Sequence, residues 1–226
     1  MREQHGPTIQ HVLWVLLLTV FSQSLAMAVV VERSEDWVLQ KDQEGIRVYT
    51  RDTEYSDFDA FRGEIEVEST LNEVVAILTD VPNHRKWMKD ISEAEMVDEF
   101  DPDGYHSYGR TDAPWPVTDR DWVVRWEIRT GNDRPGVVVT FKKADGVRPP
   151  TNDAVRTGEF EGFWHLEALD EGGTRVVYEV SHADPGGMLP AWLVNAFVVN
   201  QPYYTLSAMR RELQEQQYQN HSFSFL

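Results

Sequence analysis

Hydrophobic and polar residues alternate with a period of two along most of the chain, a pattern typical of β-strands with one covered face. Between residues 61 and 68, for example, Phe61, Ile65 and Val67 share one face while charged residues occupy the other. A first strand pair, at residues 37–40 and 46–50, flanks a turn at residues 42–45. Further strands are predicted near residues 91–97, 105–110, 122–130, 137–143, 160–166 and 176–182.

Helical patterns occur in two places. Thr70 and Glu73 have the spacing of a capping box that opens a short helix, and Pro82 begins a second short helix that carries Trp87. One long helical pattern runs from Leu189 to about Glu215, with Pro202 expected to kink or weaken it and with a frayed tail after it. The order of elements predicts a single α+β domain with one antiparallel sheet and one long helix last.

The first 28 residues have the composition of an export signal. Arg2 precedes an apolar run from Val12 to Phe21, and Ala26-Met27-Ala28 fits a small-residue cleavage site. We therefore expect residues 1–28 to be a cleaved signal peptide and residues 29–226 to form the domain, with its core at 35–215. Periplasmic or secreted localisation follows, with retention at the inner membrane as the alternative.

Composition excludes several classes of function. The net charge is −17 at pH 7, which disfavours binding to nucleic acid and steady adhesion to anionic lipid, while brief membrane contact through an apolar patch stays open. The 226 residues include no cysteine, so disulfides, thiol nucleophiles and thiolate metal sites are excluded. No metal or other cofactor is expected.

Candidate catalytic groups are few. The chain has no nucleophile elbow, phosphate loop or zinc-protease motif. His182 and Asp184, with His165 on a neighbouring strand, form the best polar cluster, which fits a strand end at a turn better than an acid/base or metal site. Asp119-Arg120-Asp121 could clamp an anion, but the triplet is more typical of a structural ion-pair corner at the start of a strand.

The strand that follows this triplet has an unusually large apolar face. Trp122, Val124, Trp126 and Ile128 point to one side, and the strand comes directly after the rigid corner Pro114-Trp115-Pro116. Two tryptophans on one inner face suit a dense core as well as the wall of a hollow. The sequence pattern alone leaves both interpretations open.

Several short motifs resolve part of this ambiguity. Their order and spacing along the chain resemble those of the START domain family, the lipid-transfer proteins related to steroidogenic acute regulatory protein. The resemblance covers about residues 35–215. The motifs are Trp87, Pro114-Trp115-Pro116, Arg120-Asp121, Pro149-Pro150, Val155-Arg156, Gly162, Trp164, Asp184-Pro185-Gly186-Gly187, Pro190-Ala191-Trp192-Leu193 and Asn195.

The resemblance implies a helix-grip fold, in which a curved antiparallel sheet wraps around the C-terminal helix and encloses a tunnel for one apolar molecule. One departure concerns the charged pair of the sterol-binding relatives. Trp126 stands where those proteins carry a cavity arginine, and Ser107 stands where they carry its acidic partner. This favours a more apolar pocket, or one polarised by Tyr178, His182, Asn195 or Asn200.

We therefore expect an exported, non-enzymatic carrier of a lipid or other hydrophobic small molecule. The last helix would act as a lid on a hinge at residues 184–187, and Arg156 would meet a head group, although a surface ion pair explains this arginine equally well. The predicted ligand-binding residues are Trp122, Val124, Trp126, Phe141, Arg156, Trp164, Tyr178, Val180, Trp192, Asn195, Ala196 and Tyr203.

Two other functions remain as alternatives. A cyclase or dehydratase acting on an apolar polyketide-like substrate would need His182 and Tyr178 to converge inside the pocket. A protein-binding module would instead have a filled core and a large exposed apolar patch.

Overall fold

The computed structural model describes residues 37–53, 56–101, 104–131, 136–189 and 191–226. The predicted signal peptide at residues 1–28 lies outside these ranges. The strands are β1 (Val38–Gln43), β2 (Ile46–Thr53), β3 (Ser56–Val67), β4 (Ile91–Asp101), β5 (Gly104–Thr111), β6 (Arg120–Thr130), β7 (Gly136–Lys143), β8 (Val155–Arg156), β9 (Phe160–Ala168) and β10 (Thr174–Ala183).

All ten strands belong to one curved sheet, in the order β1-β2-β3-β10-β9-β7-β6-β5-β4. Neighbouring strands in this order are antiparallel, and the two-residue β8 adds to β6 in parallel. Glu44 and Gly45 connect β1 to β2 with φ angles of 53° and 74°. Positive φ at both central residues gives a turn that matches the strand twist, which explains why the polar segment at 42–45 closes a tight hairpin.

The helices follow the predicted order. They are α1 (Leu71–Thr79), a 3₁₀ turn (Val81–Asn83), α2 (His84–Trp87) and α3 (Ala191–Glu212). The capping box is confirmed, since Glu73 N donates to Thr70 Oγ1 while Thr70 N donates to Glu73 Oε2. The prediction of one antiparallel sheet, two short helices and a long last helix is therefore correct.

Helix α3 packs across the concave face of the sheet, over β2 and β3. It continues through Pro202 without interruption, so the predicted weakening does not end the helix. Gly63 lies directly under this crossing: a Cβ there would come within 2.7 Å of the Leu206 side chain and 3.2 Å of Pro202. The missing side chain allows the helix to approach the sheet this closely.

The C-terminal tail differs from its prediction, because part of it is packed rather than frayed. Tyr218 is only 2% exposed, and its hydroxyl donates to Asp80 Oδ2 at 2.9 Å. Asn220 N donates to Glu73 Oε1, and Phe223 N donates to Asn72 Oδ1 at 2.7 Å. The tail thus covers the start and end of α1, a long-range contact that its polar composition does not indicate.

Candidate functional site: a cavity between the sheet and the last helix

A cavity of about 260 Å³ lies between the inner face of the sheet and α3. Strands β6, β7, β9 and β10 form its wall, and the loops at residues 112–117 and 184–189 border one end. Seven of the predicted ligand-binding residues line it, namely Trp122, Val124, Trp126, Phe141, Trp164, Tyr178 and Val180. Their contact with a ligand remains a prediction.

The strand register explains why these side chains converge. Trp126 is paired with Phe141 across β6 and β7, and Trp164 is paired with Tyr178 across β9 and β10. Paired residues on one face contact each other: the Trp164 and Tyr178 rings stack with centroids 3.9 Å apart, and those of Trp126 and Phe141 are 5.1 Å apart. The result is a continuous aromatic wall.

Helix α3 also contributes side chains to the cavity. Val194, Val198 and Gln201, spaced four and three residues apart, line the cavity together with Phe197. Tyr203 instead packs under Lys41, whose Nζ lies 3.6 Å from the ring centroid. Tyr203 is not among the described lining residues, and its contact with a ligand stays a prediction.

Three further helix residues are predicted to line the cavity. Asn195 is not among its lining residues, because its Oδ1 accepts from Asp59 N at 3.2 Å and so joins α3 to β3. The side chains of Trp192 and Ala196 lie outside the described part of the structure. Sequence reasoning also missed Phe61 and Phe160, which complete the aromatic wall from neighbouring strands.

Polar groups within the wall are few and neutral. Burial raises the pKa of the Tyr178 hydroxyl, against the opposing effect of a hydrogen bond from Gln201, so this hydroxyl stays protonated. Gln201 also donates from Nε2 to Thr205 Oγ1 at 3.3 Å. Trp126 Nε1 donates to Ser107 Oγ at 2.7 Å, which satisfies both groups away from water. Such a wall suits an apolar ligand.

Charged side chains gather at one end of the cavity, which we call the mouth and define as Lys89, residues 112–118, Arg120 and residues 184–189. Lys89, Asp112, Arg120 and Asp184 line the cavity there. The end of β5 and the start of β6 meet here, since Thr111 is paired with Arg120. Asp112 and Pro114 are also exposed, so the cavity reaches the surface at this point.

Arg156 does not take part in the cavity. Its guanidinium forms a two-pronged ion pair with Asp121, Nε to Oδ1 and Nη2 to Oδ2, both at 2.9 Å. Asp121 follows Arg120 on β6 and so points to the opposite face of the sheet. Arg156 also donates to the carbonyls of Arg148 and Pro149, which agrees with the alternative of an ion pair, while its head-group role stays an untested prediction.

The candidate catalytic pair is also separated. Tyr178 lines the cavity, whereas His182 is not among the described lining residues. The register between β9 and β10 shifts between Val180 and His182, which breaks the alternation that would have placed both on the inner face. Across the described ranges, no group of three or more His, Asp or Glu side chains could hold a metal ion.

The comparisons with known proteins agree with this architecture. The family model described as START domain matches residues 22–218. An uncharacterized protein of Pseudomonas aeruginosa is 32% identical over 197 residues, covering 87% of this chain and 96% of that protein. The chain therefore belongs to the START domain family.

Solved structures show the same fold. A STAR-related lipid transfer protein from Xanthomonas axonopodis is 35% identical, with a TM-score of 0.74, and the match covers 80% of this chain and 99% of that one. Human StAR-related lipid transfer protein 5 is 19% identical with a TM-score of 0.73, over 80% of this chain and 88% of that one. This similarity supports a hydrophobic ligand-binding role.

An aromatase/cyclase from a Streptomyces species also matches, at 16% identity and a TM-score of 0.50, over 69% of this chain and 93% of that one. At this identity the likeness concerns the fold. It indicates that a helix-grip fold can also belong to an enzyme.

Proposed function

We propose that this protein is an exported, non-enzymatic carrier that binds a lipid or other hydrophobic small molecule in the cavity under α3. The observation that carries the proposal is the wall itself, in which stacked and tilted aromatic rings enclose a space whose charged groups lie at one end. An apolar chain inside would replace contact with water by contact with these rings.

Shielding supplies the driving force. Each methylene group withdrawn from water contributes about 0.8 kcal/mol, so a sixteen-carbon chain gains on the order of 12 kcal/mol before the cost of immobilising it. That gain offsets most of the cost of taking the chain out of a membrane and through water. It requires no reaction, which is consistent with a cavity whose described lining residues include Tyr178 but not His182.

Loading would take place at the mouth during brief contact with a membrane. Trp115 is 92% exposed and the Met188 side chain is fully exposed, and they lie in the two loops that border the cavity. Large apolar side chains in this position favour insertion among lipid head groups. Gly186 and Gly187, with φ angles of 69° and 68°, adopt the left-handed backbone conformation that favours glycine, and the proposed hinge lies in this segment before α3.

Export rests on the composition of residues 1–28. None of the described helices is both long and apolar enough to span a membrane. A periplasmic or secreted carrier would move its ligand between membranes or from a membrane to another protein.

Native mass spectrometry with lipid extraction tests the proposal. The full chain, expressed with its own N-terminal segment and purified without detergent, should carry a discrete added mass that is released on denaturation. Sequencing the N-terminus of the same sample shows whether residues 1–28 have been removed. A protein that remains ligand-free after incubation with mixed lipid vesicles would contradict the carrier function, and the enzyme alternative would then be tested with polyketide-like substrates.

A further inference from the structure

Arg120 is the first residue of β6 and belongs to the same inward-facing row as Trp122, Val124 and Trp126. It lines the cavity at the mouth, and only 9% of the residue is exposed. A guanidinium buried to this degree normally pairs with a carboxylate, because an unpaired buried charge is costly. The hydrogen-bond partners of Arg120 therefore show whether its charge is paired within the protein.

The two neighbouring acids are both engaged elsewhere. Asp119 Oδ2 accepts from Arg110 Nε and Nη2 at 3.0 and 2.7 Å, and its Oδ1 accepts from Ala113 N. Asp121 accepts both prongs of Arg156 on the other face of the sheet. Both acids of Asp119-Arg120-Asp121 therefore form ion pairs, as predicted for a structural corner, but with arginines other than Arg120.

Arg120 itself donates to three backbone carbonyls. Nε donates to Pro185 O and Nη2 to Gly186 O, both at 3.3 Å, and Nη1 donates to Thr118 O. Among the residues that the structure describes, no carboxylate oxygen lies within 4.0 Å of this guanidinium. Because a guanidinium has five N–H donors, these carbonyls orient the group while leaving its charge uncompensated and two donors available.

The other charged residues at the mouth do not pair with Arg120. Lys89 Nζ pairs with Asp90. Asp184 Oδ1 accepts from Gly186 N at 2.8 Å, and Asp112 is exposed to solvent. Burial lowers the pKa of Arg120, with Asp119 acting in the opposite direction, which agrees with a charge that lacks a close counter-ion.

We infer that Arg120 is an anion-binding residue that recognises the carboxylate or phosphate head group of an amphipathic ligand whose apolar chain lies along the aromatic wall. A planar guanidinium matches both oxyanions with two parallel hydrogen bonds. The row from Arg120 to Trp126 extends about 20 Å along β6, so a head group held at the mouth leaves the full strand for the chain. The inference rests on the proposed carrier function and narrows its ligand class.

Three ligands with the same twelve-carbon chain and different head groups test this inference: dodecanoate, dodecyl phosphate and dodecanol. Their affinities for the full-length protein are measured by displacement of Nile red, a neutral apolar dye. Wild type should bind the two anions roughly 10- to 100-fold more tightly than the alcohol, the effect of charge-assisted hydrogen bonds in a partly buried site. Equal affinity for all three would overturn the inference, and this comparison needs no variant.

Variants then locate the anion site. Arg120→Gln should weaken the anions to the level of the alcohol while leaving the alcohol unchanged, and Arg120→Lys should lose part of the preference. Arg125→Gln is the matched control, because Arg125 lies on the same strand but is exposed and pairs with Glu127. It should change nothing. Equal weakening of acid and alcohol by Arg120→Gln would instead show that Arg120 only clamps the loop at 185–186.

Two further outcomes separate the causes of failure. Inorganic phosphate should not compete with dodecyl phosphate, and competition at the same concentration would show a free-anion site in place of a head-group site. If none of the chains displaces the dye or binds by calorimetry, the proposed carrier function fails. If all bind but Arg120 has no effect on selectivity, only the present inference fails.

Discussion

Trp126 Nε1 donates a hydrogen bond to Ser107 Oγ at 2.7 Å, and this pair occupies the inner face of β5 and β6 where the family resemblance implies an arginine and an acid. Ser107 is fully buried and Trp126 is 3% exposed. A neutral donor and acceptor thus replace two charges, and the Trp126 ring packs on Phe141. The two buried polar groups are therefore hydrogen-bonded to each other, and the Trp126 ring adds apolar surface to the cavity wall.

The first prediction concerns two substitutions that introduce the charged pair implied by the family resemblance. Trp126→Arg alone buries a cation without a partner and should destabilise the protein by on the order of 3–5 kcal/mol. Adding Ser107→Glu supplies the missing acid and should recover a large part of this loss. Both variants should bind dodecanol more weakly than wild type, because the ring is gone. Urea unfolding and dye displacement measure the two effects, and additive destabilisation would show that the two side chains do not meet.

A second prediction concerns the fit between Gly109 and Trp122 on the same pair of strands. A Cβ at Gly109 would lie 2.1 Å from the Trp122 ring, whose Nε1 donates to Thr111 Oγ1. Gly109→Ala should therefore cost about 1–3 kcal/mol and displace a ring that lines the cavity. Trp122→Phe removes the clashing atoms, so the double variant should be less destabilised than the two single effects added together. Strict additivity in a double-mutant cycle would contradict the contact.

A third prediction is a pH dependence of stability caused by His84. Its Nε2 donates to Leu78 O at 2.8 Å, and Nδ1 is buried without a partner among the described residues. Burial lowers the pKa of His84 from 6.5 to about 4, while the Leu78 hydrogen bond and Asp80 act in the opposite direction. The unfolded chain therefore binds a proton more readily, and stability should fall as the pH drops from 6.5 to 4, by on the order of 3 kcal/mol.

His84→Gln keeps a donor for the carbonyl but does not titrate. Its free energy of unfolding should change less than that of wild type across the same pH window. His221→Gln is the control, since His221 is exposed and should not alter the slope. Identical pH profiles for wild type and His84→Gln would assign the effect to other groups.

A fourth prediction follows from the packed C-terminal tail. Tyr218→Ala removes a ring that is 2% exposed and should destabilise the protein by about 3–5 kcal/mol, whereas Tyr218→Phe loses the hydrogen bond to Asp80 and should cost about 1 kcal/mol. Phe225→Ala, at a residue that is 38% exposed, serves as the control. If Tyr218→Ala unfolds at the same urea concentration as wild type, the tail does not contribute to the fold.

Local patterns predicted much of this architecture. Alternation identified the inner faces of β6, β9 and β10, and the capping box located the start of α1, because both signals depend on residues close in sequence. The side of α3 that faces the cavity is harder to predict from sequence, for the opposite reason. Apolar residues occur on all sides of α3. The orientation of the helix about its own axis therefore depends on contacts with distant strands, such as its close approach to Gly63.

The partners of charged residues could not be predicted for the same reason. Arg120 lies between two acids in sequence, yet one acid pairs with Arg110 on β5 and the other with Arg156 on β8. Strand alternation separates Arg120 from Asp121, and only the three-dimensional pairing shows that both carboxylates are occupied. The anion site at the mouth is thus a property of the folded sheet.

The last prediction distinguishes the rate at which the protein takes up ligand from a membrane from its equilibrium affinity for that ligand. Trp115 and Met188 border the mouth and are exposed, but they do not belong to the aromatic wall. Trp115→Ala with Met188→Ser should slow ligand transfer between neutral phosphatidylcholine vesicles several-fold, because less apolar surface can enter the membrane. Equilibrium affinity for dodecanoate in solution should not change. Phe225→Ala, which removes an exposed ring from the C-terminal tail, should leave both quantities unchanged.

Vesicle charge provides a second arm of the same experiment. With a net charge of −17, the protein should transfer ligand more slowly as anionic lipid is added, and salt should relieve this inhibition by screening the repulsion. Transfer that depends on the wall but not on Trp115 and Met188 would mean that the ligand enters from solution. In that case membrane insertion of the exposed residues at the mouth would not be the loading step.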